Sequence, residues 1–163
     1  MRSKIISKAI KVQLYKTLIL PILLYGSEAW TLSGSDETAL GCFERKILRK
    51  IYGPICQDGE WRVRYNDELY HLYDDTDVIK NIKLRRLRWA GHVSRMSDVV
   101  STKRVSLGPP PDGRRRQGRP NLRWLDGVEK DLSKLHVRNW KERASNRRDW
   151  RIFLNAAQTR KGL

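Results

Sequence analysis

Apolar residues near the start of the chain recur every four positions, at Ile6, Ile10, Leu14, Leu18 and Ile22, with Ile5, Ala9 and Val12 beside them. That spacing predicts a helix from Ser3 to Tyr25 with a broad buried stripe. Pro21 has no amide hydrogen and crowds the preceding turn, so it should kink this helix or start a second segment. The run SGSDETALGCFERKILRKIYG predicts the next helix. Ser35 is placed to cap it, with Thr38 at the capping-box position. Asp36 and Glu37 suit the positive helix end, and Gly53 with Pro54 closes the far end. Leu40, Phe43, Ile47, Leu48 and Ile51 form its apolar stripe, and the two helices read as a hairpin.

After an irregular piece holding Trp61, NDELYHLY offers Asn66 or Asp67 as the cap of a short helix ending at Tyr73. The segment from Asp77 to Met96, DVIKNIKLRRLRWAGHVSRM, is helical at about 100° per residue. Val78, Ile82, Trp89, Val93 and Met96 share one face, with Ile79 and Ala90 at its border, while Lys80, Arg88 and Arg95 fall opposite. Residues 97–120 lose the apolar period and turn rich in Pro, Gly and Arg, which reads as a flexible linker. Beyond it, Asn121 opens a helix carrying Trp124, Leu125, Val128, Leu132 and Leu135. NWKERASNRRDWRIFLNAAQ supplies another with Trp140, Ala144, Trp150, Phe153, Leu154 and Ala157. Five to six helices and no convincing strand predict an all-α protein, divided into a helical domain (1–96), a basic linker (97–120) and a C-terminal helical segment (121–163).

Charge changes the picture from fold to partner. The 163 residues hold 34 Lys and Arg against 18 Asp and Glu, a net charge of +16, and only 39% of them are hydrophobic. Such an excess repels itself and attracts polyanions, so nucleic acid, as RNA, DNA or their hybrid, is the expected partner. Lys80, Arg85, Arg88 and Arg95 project from one helix, and Arg114, Arg115, Arg116 and Arg119 form the densest cluster. An arginine-rich extended segment can follow a phosphate backbone. The alternatives for that cluster are a nuclear-localisation-like run or a solvated spacer. The other reading of the whole chain is a basic helical interaction protein, repurposed by a host, with a protein partner.

Several chemistries are not expected. The run LILPILLY has eight apolar residues where a membrane span needs about twenty. The start, MRSKIISKAIK, lacks an apolar signal core after it, and the compartment is expected to be intracellular. Cys42, Cys56, His71, His92 and His136 show no paired close ligands for zinc, and Cys42 reads as a small apolar side chain. No cofactor and no small-molecule substrate are expected. Trp89, Trp124, Trp140 and Trp150 lie on apolar stripes and read as core anchors; packing is also expected of Trp30, Trp61 and His92.

HLYDDTD, His71 to Asp77, superficially suggests the paired aspartates of a polymerase. The position two before Asp74 is Leu72 rather than an aromatic, and both flanks have helical rather than alternating period. Asp74 and Asp75 are expected in a turn between two helices, with Asp77 capping the second.

The stretches YKTLILPILLYGSEAWTL, FERKILRKIYGP, LRRLRWAGHVSRM, GRRRQGRPNLRWLDGVEKDL and VRNWKERASNRRDWR, in this order, resemble the C-terminal region of reverse transcriptases encoded by non-LTR retrotransposons. The resemblance runs from about Lys11 to Arg151. It implies that the first helices are thumb-like and the remainder a basic tail, with the endonuclease, fingers and catalytic palm upstream of Met1. The chain would then be a non-catalytic fragment that grips nucleic acid by its phosphates.

Overall fold

The computed structural model describes residues 5–109 and 122–159. The first helical run comprises α1 (Lys8–Leu14), a π-helical stretch (Tyr15–Ile19) and α2 (Leu20–Leu23), with Pro21 in the first turn of α2. In the π-helical turn the Leu20 amide donates to the Tyr15 carbonyl. Widening the turn just before the proline accommodates a residue that can neither donate nor tolerate a close carbonyl. The predicted stripe is overturned. Ile6, Ile10, Leu18 and Ile22 are exposed, Ile22 to 78%, whereas Tyr15 is buried and Val12, Ile19 and Leu20 pack beside it. A strict spacing of four drifts about 40° per step around an α-helix, and the π-helical turn shifts the register further, so those residues do not hold one face.

α3 (Gly34–Tyr52) begins one residue before Ser35, which therefore lies in the first turn and is not the cap. Gly53 ends it at φ +73°, donating to the Arg49 carbonyl at 2.9 Å. A two-stranded antiparallel ribbon that the helical period did not suggest follows, β1 (Ile55–Gln57) and β2 (Glu60–Arg62), joined by Asp58 and Gly59, both at positive φ. α4 (Asn66–Tyr73) is capped by Tyr65 and Glu68, not by Asn66 or Asp67. The Glu68 carboxylate accepts the Tyr65 amide at 2.8 Å. It also takes Arg62 at 2.6 Å, and these bonds hold its pKa down to about 2.

The chain groups into two compact units, Met1–Tyr25 with Gly34–Asn81, and Gly26–Ser33 with Ile82–Leu163. In the first, Tyr15, Leu48, Ile51, Leu69 and Tyr73 form the core. Inside it sits a charge-capable group that the apolar pattern hides, because Glu44 is fully buried. Its carboxyl accepts the Tyr15 hydroxyl at 2.9 Å, the Tyr70 hydroxyl at 3.1 Å and the Val78 amide at 3.2 Å. Glu44 thereby ties the first helical run, α3, α4 and the start of α5 (Val78–Ser94) together. Burial raises the Glu44 pKa against the lowering pull of those three donors. The same burial, reinforced by Glu44, pushes Tyr70 up to about 12.

The second unit holds most of α5, α6 (Ser101–Leu107), α7 (Trp124–Lys134), α8 (Trp140–Ser145) and α9 (Arg147–Thr159). α6 lies within the stretch read as linker. Its apolar anchor, Leu107, packs against the core, but one residue is too few to make a period. α8 and α9 divide the single helix predicted there. Asn146 breaks it and restarts it, its side-chain oxygen accepting the Arg148 amide at 3.0 Å. The core gathers Leu84, Leu87, Val128, Leu132, Trp150 and Phe153 among others.

α5 is not apolar on one side and cationic on the other: Lys83 and Arg86 are each 3% exposed. Arg86 Nη2 donates to Asp131 Oδ2 on α7 at 2.5 Å, and Nη1 reaches the Trp30 carbonyl at 3.4 Å. Gly127 is bare because a Cβ there would stand 2.9 Å from Arg86 Nη1. Gly91 does the same for α9, since a Cβ would come within 2.1 Å of the Trp150 indole nitrogen, which donates to the Leu87 carbonyl at 3.2 Å. The all-α class holds, the ribbon being the one strand pair among the described residues.

Two measurements check these cores. The folded chain holds the Glu44 proton more tightly than the unfolded chain does. Its stabilising contribution is therefore complete below the ordinary value of 4.5 and is lost as pH rises through the folded value. Glu44→Gln stays neutral, so in urea titrations its unfolding free energy should gain on that of the native chain as pH rises above 4.5. Asp131→Ala should cost about 3–5 kcal/mol by stranding Arg86, while Arg86→Met with Asp131→Leu should cost far less than the two single changes summed.

Candidate nucleic-acid interface

The cations singled out from sequence have different surroundings. Arg88 is exposed on α5, while Lys80, Arg85 and Arg95 are half-buried. Lys80 and Arg85 each have interactions with neighbouring groups. Arg95 donates from Nη1 to the Ala144 carbonyl near the C-terminal end of α8 at 2.6 Å, so it holds α8 as well as carrying charge. Arg114, Arg115, Arg116 and Arg119 lie outside the described residues; in sequence they fall between α6 and α7.

A second group of cations was missed because its segment reads first as apolar. Arg138 just before α8, Lys141 and Arg143 on α8, and Arg147, Arg148 and Arg151 on α9 are all exposed, while Trp140, Ala144, Trp150, Phe153, Leu154 and Ala157 are buried. Part of the signal was available, since the 3.6-residue period that buries the apolar residues of α9 turns Arg148 to the opposite side. Arg143 lies over the Phe153 ring at 4.9 Å. Burial pulls the Arg95 guanidinium below its ordinary pKa, and repulsion from Arg147 adds to this. Arg147 and Arg148 also occupy the first turn of α9, where the helix dipole is already positive. Three guanidinium groups and a helix N-terminus thus raise the potential at one end of α9, although Asp149 in the same turn and Asn146 offset part of it.

HLYDDTD is a helix-turn-helix junction, as expected. Asp74 ends α4 in the left-handed conformation at φ 47° and ψ 42°, and Asp77 caps α5 by accepting the Lys80 amide at 2.8 Å. Asp75 pairs with Lys16 at 2.6 Å. Burial works against its ionisation, yet the Lys16 bond and the Thr76 amide prevail and hold its carboxyl below the usual range. No group of three or more His, Cys, Asp or Glu side chains that could hold a metal ion occurs among the described residues. No described helix is long and apolar enough to cross a membrane.

The aromatic expectations divide. Trp140 and Trp150 are buried, Trp30, Trp89 and Trp124 are half-buried, and Trp61 is 72% exposed on β2, contrary to the packing expected of it. His92 is likewise exposed, its ring 5.2 Å from that of Trp89. Cys42 is exposed and accepts Arg45 Nη2 at 3.3 Å, so it is no core side chain.

Comparison with known proteins finds a similar chain. Over 151 residues, 90% of its length, the chain is 28% identical to a transposon-derived protein of Caenorhabditis elegans. The chain spans about half, 54%, of the length of that relative. No family model matches, and no solved structure matches.

The two kinds of arginine should separate by mutation. Arg88→Ala should leave thermal or urea stability within about 0.5 kcal/mol of the native chain. Arg95→Ala should cost about 1 kcal/mol through the lost carbonyl bond to α8.

Proposed function

We propose that this chain is a non-catalytic nucleic-acid-binding segment, similar to the thumb and post-thumb region of a non-LTR retrotransposon reverse transcriptase, that holds RNA, DNA or their hybrid by its phosphates. The observation that carries this reading is the set of exposed cations of α8 and α9, with Arg147 and Arg148 at the positive end of α9 and the half-buried Arg95 close enough to Arg147 to be repelled by it. Phosphate oxygens would relieve the repulsion there, and the buried faces of both helices hold the cations on a fixed scaffold. Arg88 and the cluster Arg114, Arg115, Arg116 and Arg119 would add contacts of the same kind. The net charge of +16 and the transposon-derived relative support the same reading.

A second reading is favoured by one observation. Ile10, Leu18, Ile22 and Tyr25 stand exposed along the first helical run, Tyr25 to 86%, which suits a protein partner better than a polyanion.

Salt separates the two. In anisotropy titrations of a labelled oligonucleotide, log affinity should fall linearly with log salt, with a slope of about −3 or steeper. Arg147→Ala and Arg148→Ala should each flatten it by about one unit, uniformly across sequences. Binding that ignores salt, or none, would refute the phosphate reading and leave the protein-partner reading.

A further inference from the structure

The second unit contains a cavity of about 200 Å³ that phosphate binding leaves unused. It opens between the 3-10 turn (Ser27–Ala29), α5, α6 and the start of α7, and its walls include Trp89, Trp124, Arg123, Ser106, Val105 and Leu125. We propose that it receives one unpaired nucleobase from a bound single strand, which rests on the nucleic-acid reading above and adds to it a preference for unpaired over paired strands.

Size restricts the occupant first. The volume falls below the roughly 300–1,000 Å³ of pockets for drug-sized ligands, so one ring system is the scale that fits. The walls restrict its chemistry. Two indoles, Trp89 and Trp124, are in its lining, the kind of side chain on which a planar aromatic group stacks. Arg123 and Ser106 supply a guanidinium and a hydroxyl that can meet the polar edge of a base. These walls are held in place before anything binds. The Trp124 indole donates to the Glu28 carbonyl at 2.7 Å, the Trp89 ring leans on His92, and Arg123 Nη2 donates to the Gly108 carbonyl at 2.8 Å. Fixed rings lose little freedom when a base enters.

Among the described residues, no fully buried core side chain is in the lining. Val105 is 83% exposed, and Trp89 and Trp124 are only half-buried, unlike Trp140 and Trp150. Charge then selects among planar aromatics. A protein of +16 concentrates polyanions at its surface, and a nucleotide is a planar aromatic group that arrives attached to a phosphate. A base within a duplex is stacked and paired, so only an unpaired or extruded one is available to enter.

The test uses the full chain and three probes of equal length: a single-stranded oligonucleotide, the same strand with abasic sites throughout, and the fully paired duplex. The proposal expects the abasic strand to bind roughly ten- to a hundred-fold more weakly than the intact strand. Ser106→Phe, which fills the cavity from α6, should abolish that difference and leave affinity for the abasic strand unchanged. Arg123→Gln should reduce it, with circular dichroism checking that both variants keep their helices. Equal, salt-sensitive binding of intact and abasic strands would overturn the cavity assignment while leaving the phosphate reading intact. A base preference that survives in folded Ser106→Phe would also overturn it, by locating the contact elsewhere. Absence of salt-sensitive binding to all three probes would overturn both.

Discussion

A guanidinium enclosed in hydrocarbon must be answered by a carboxylate and by carbonyl oxygens, and the second unit is arranged around that demand. Arg86 reaches Asp131 across the α5–α7 contact and the Trp30 carbonyl in the segment Gly26–Ser33. The pair sets the approach of α7, because Gly127 must stay without a side chain for the guanidinium to lie where it does. Once α5 and α7 are placed, Leu87, Val128 and Leu132 close around the ion pair and α9 seats Trp150 over Gly91. Bringing two charges out of water costs about as much as their attraction returns, so such a buried pair is expected to bear more on the choice of arrangement than on its depth.

The first unit meets a related constraint with neutral donors. Glu44 collects two phenols and a backbone amide, and each comes from a different element. Several residues of the stretches singled out in sequence sit at such joints: Arg86, Gly91, Trp124, Gly127, Asp131 and Trp150 all support packing. Cations available to a polyanion stand between those positions, on the turns of helix that packing leaves outside.

Helices with a strong apolar period were legible in sequence. α9 buries Trp150, Phe153, Leu154 and Ala157 as its spacing requires, and the capping of α5 by Asp77 and the turn at Asp74 and Asp75 followed from residue chemistry alone. The first helix was not, because a π-helical turn changes the face that four-residue spacing would select. The ribbon was signalled by Asp58-Gly59, a pair that suits a two-residue hairpin, but three-residue strands are too short to alternate convincingly. Glu44 and Arg86 were invisible for a different reason. A periodicity argument treats every charge as solvated, and only tertiary partners reveal which ones are not. For the candidate interface, Arg88 was read correctly as exposed, the structural use of Arg95 depended on a carbonyl in α8, and the cations of α8 and α9 were hidden behind their tryptophans.

The bare isoleucines and leucine of the first helical run carry a colloidal consequence. At low ionic strength, neighbouring molecules of this strongly cationic chain repel one another before those greasy side chains can touch. Near 1 M salt the screening length shrinks to about 3 Å. The condition that strips a polyanion from the arginines thus also removes the barrier to self-association, so high-salt purification selects for clumping unless something else covers that ridge.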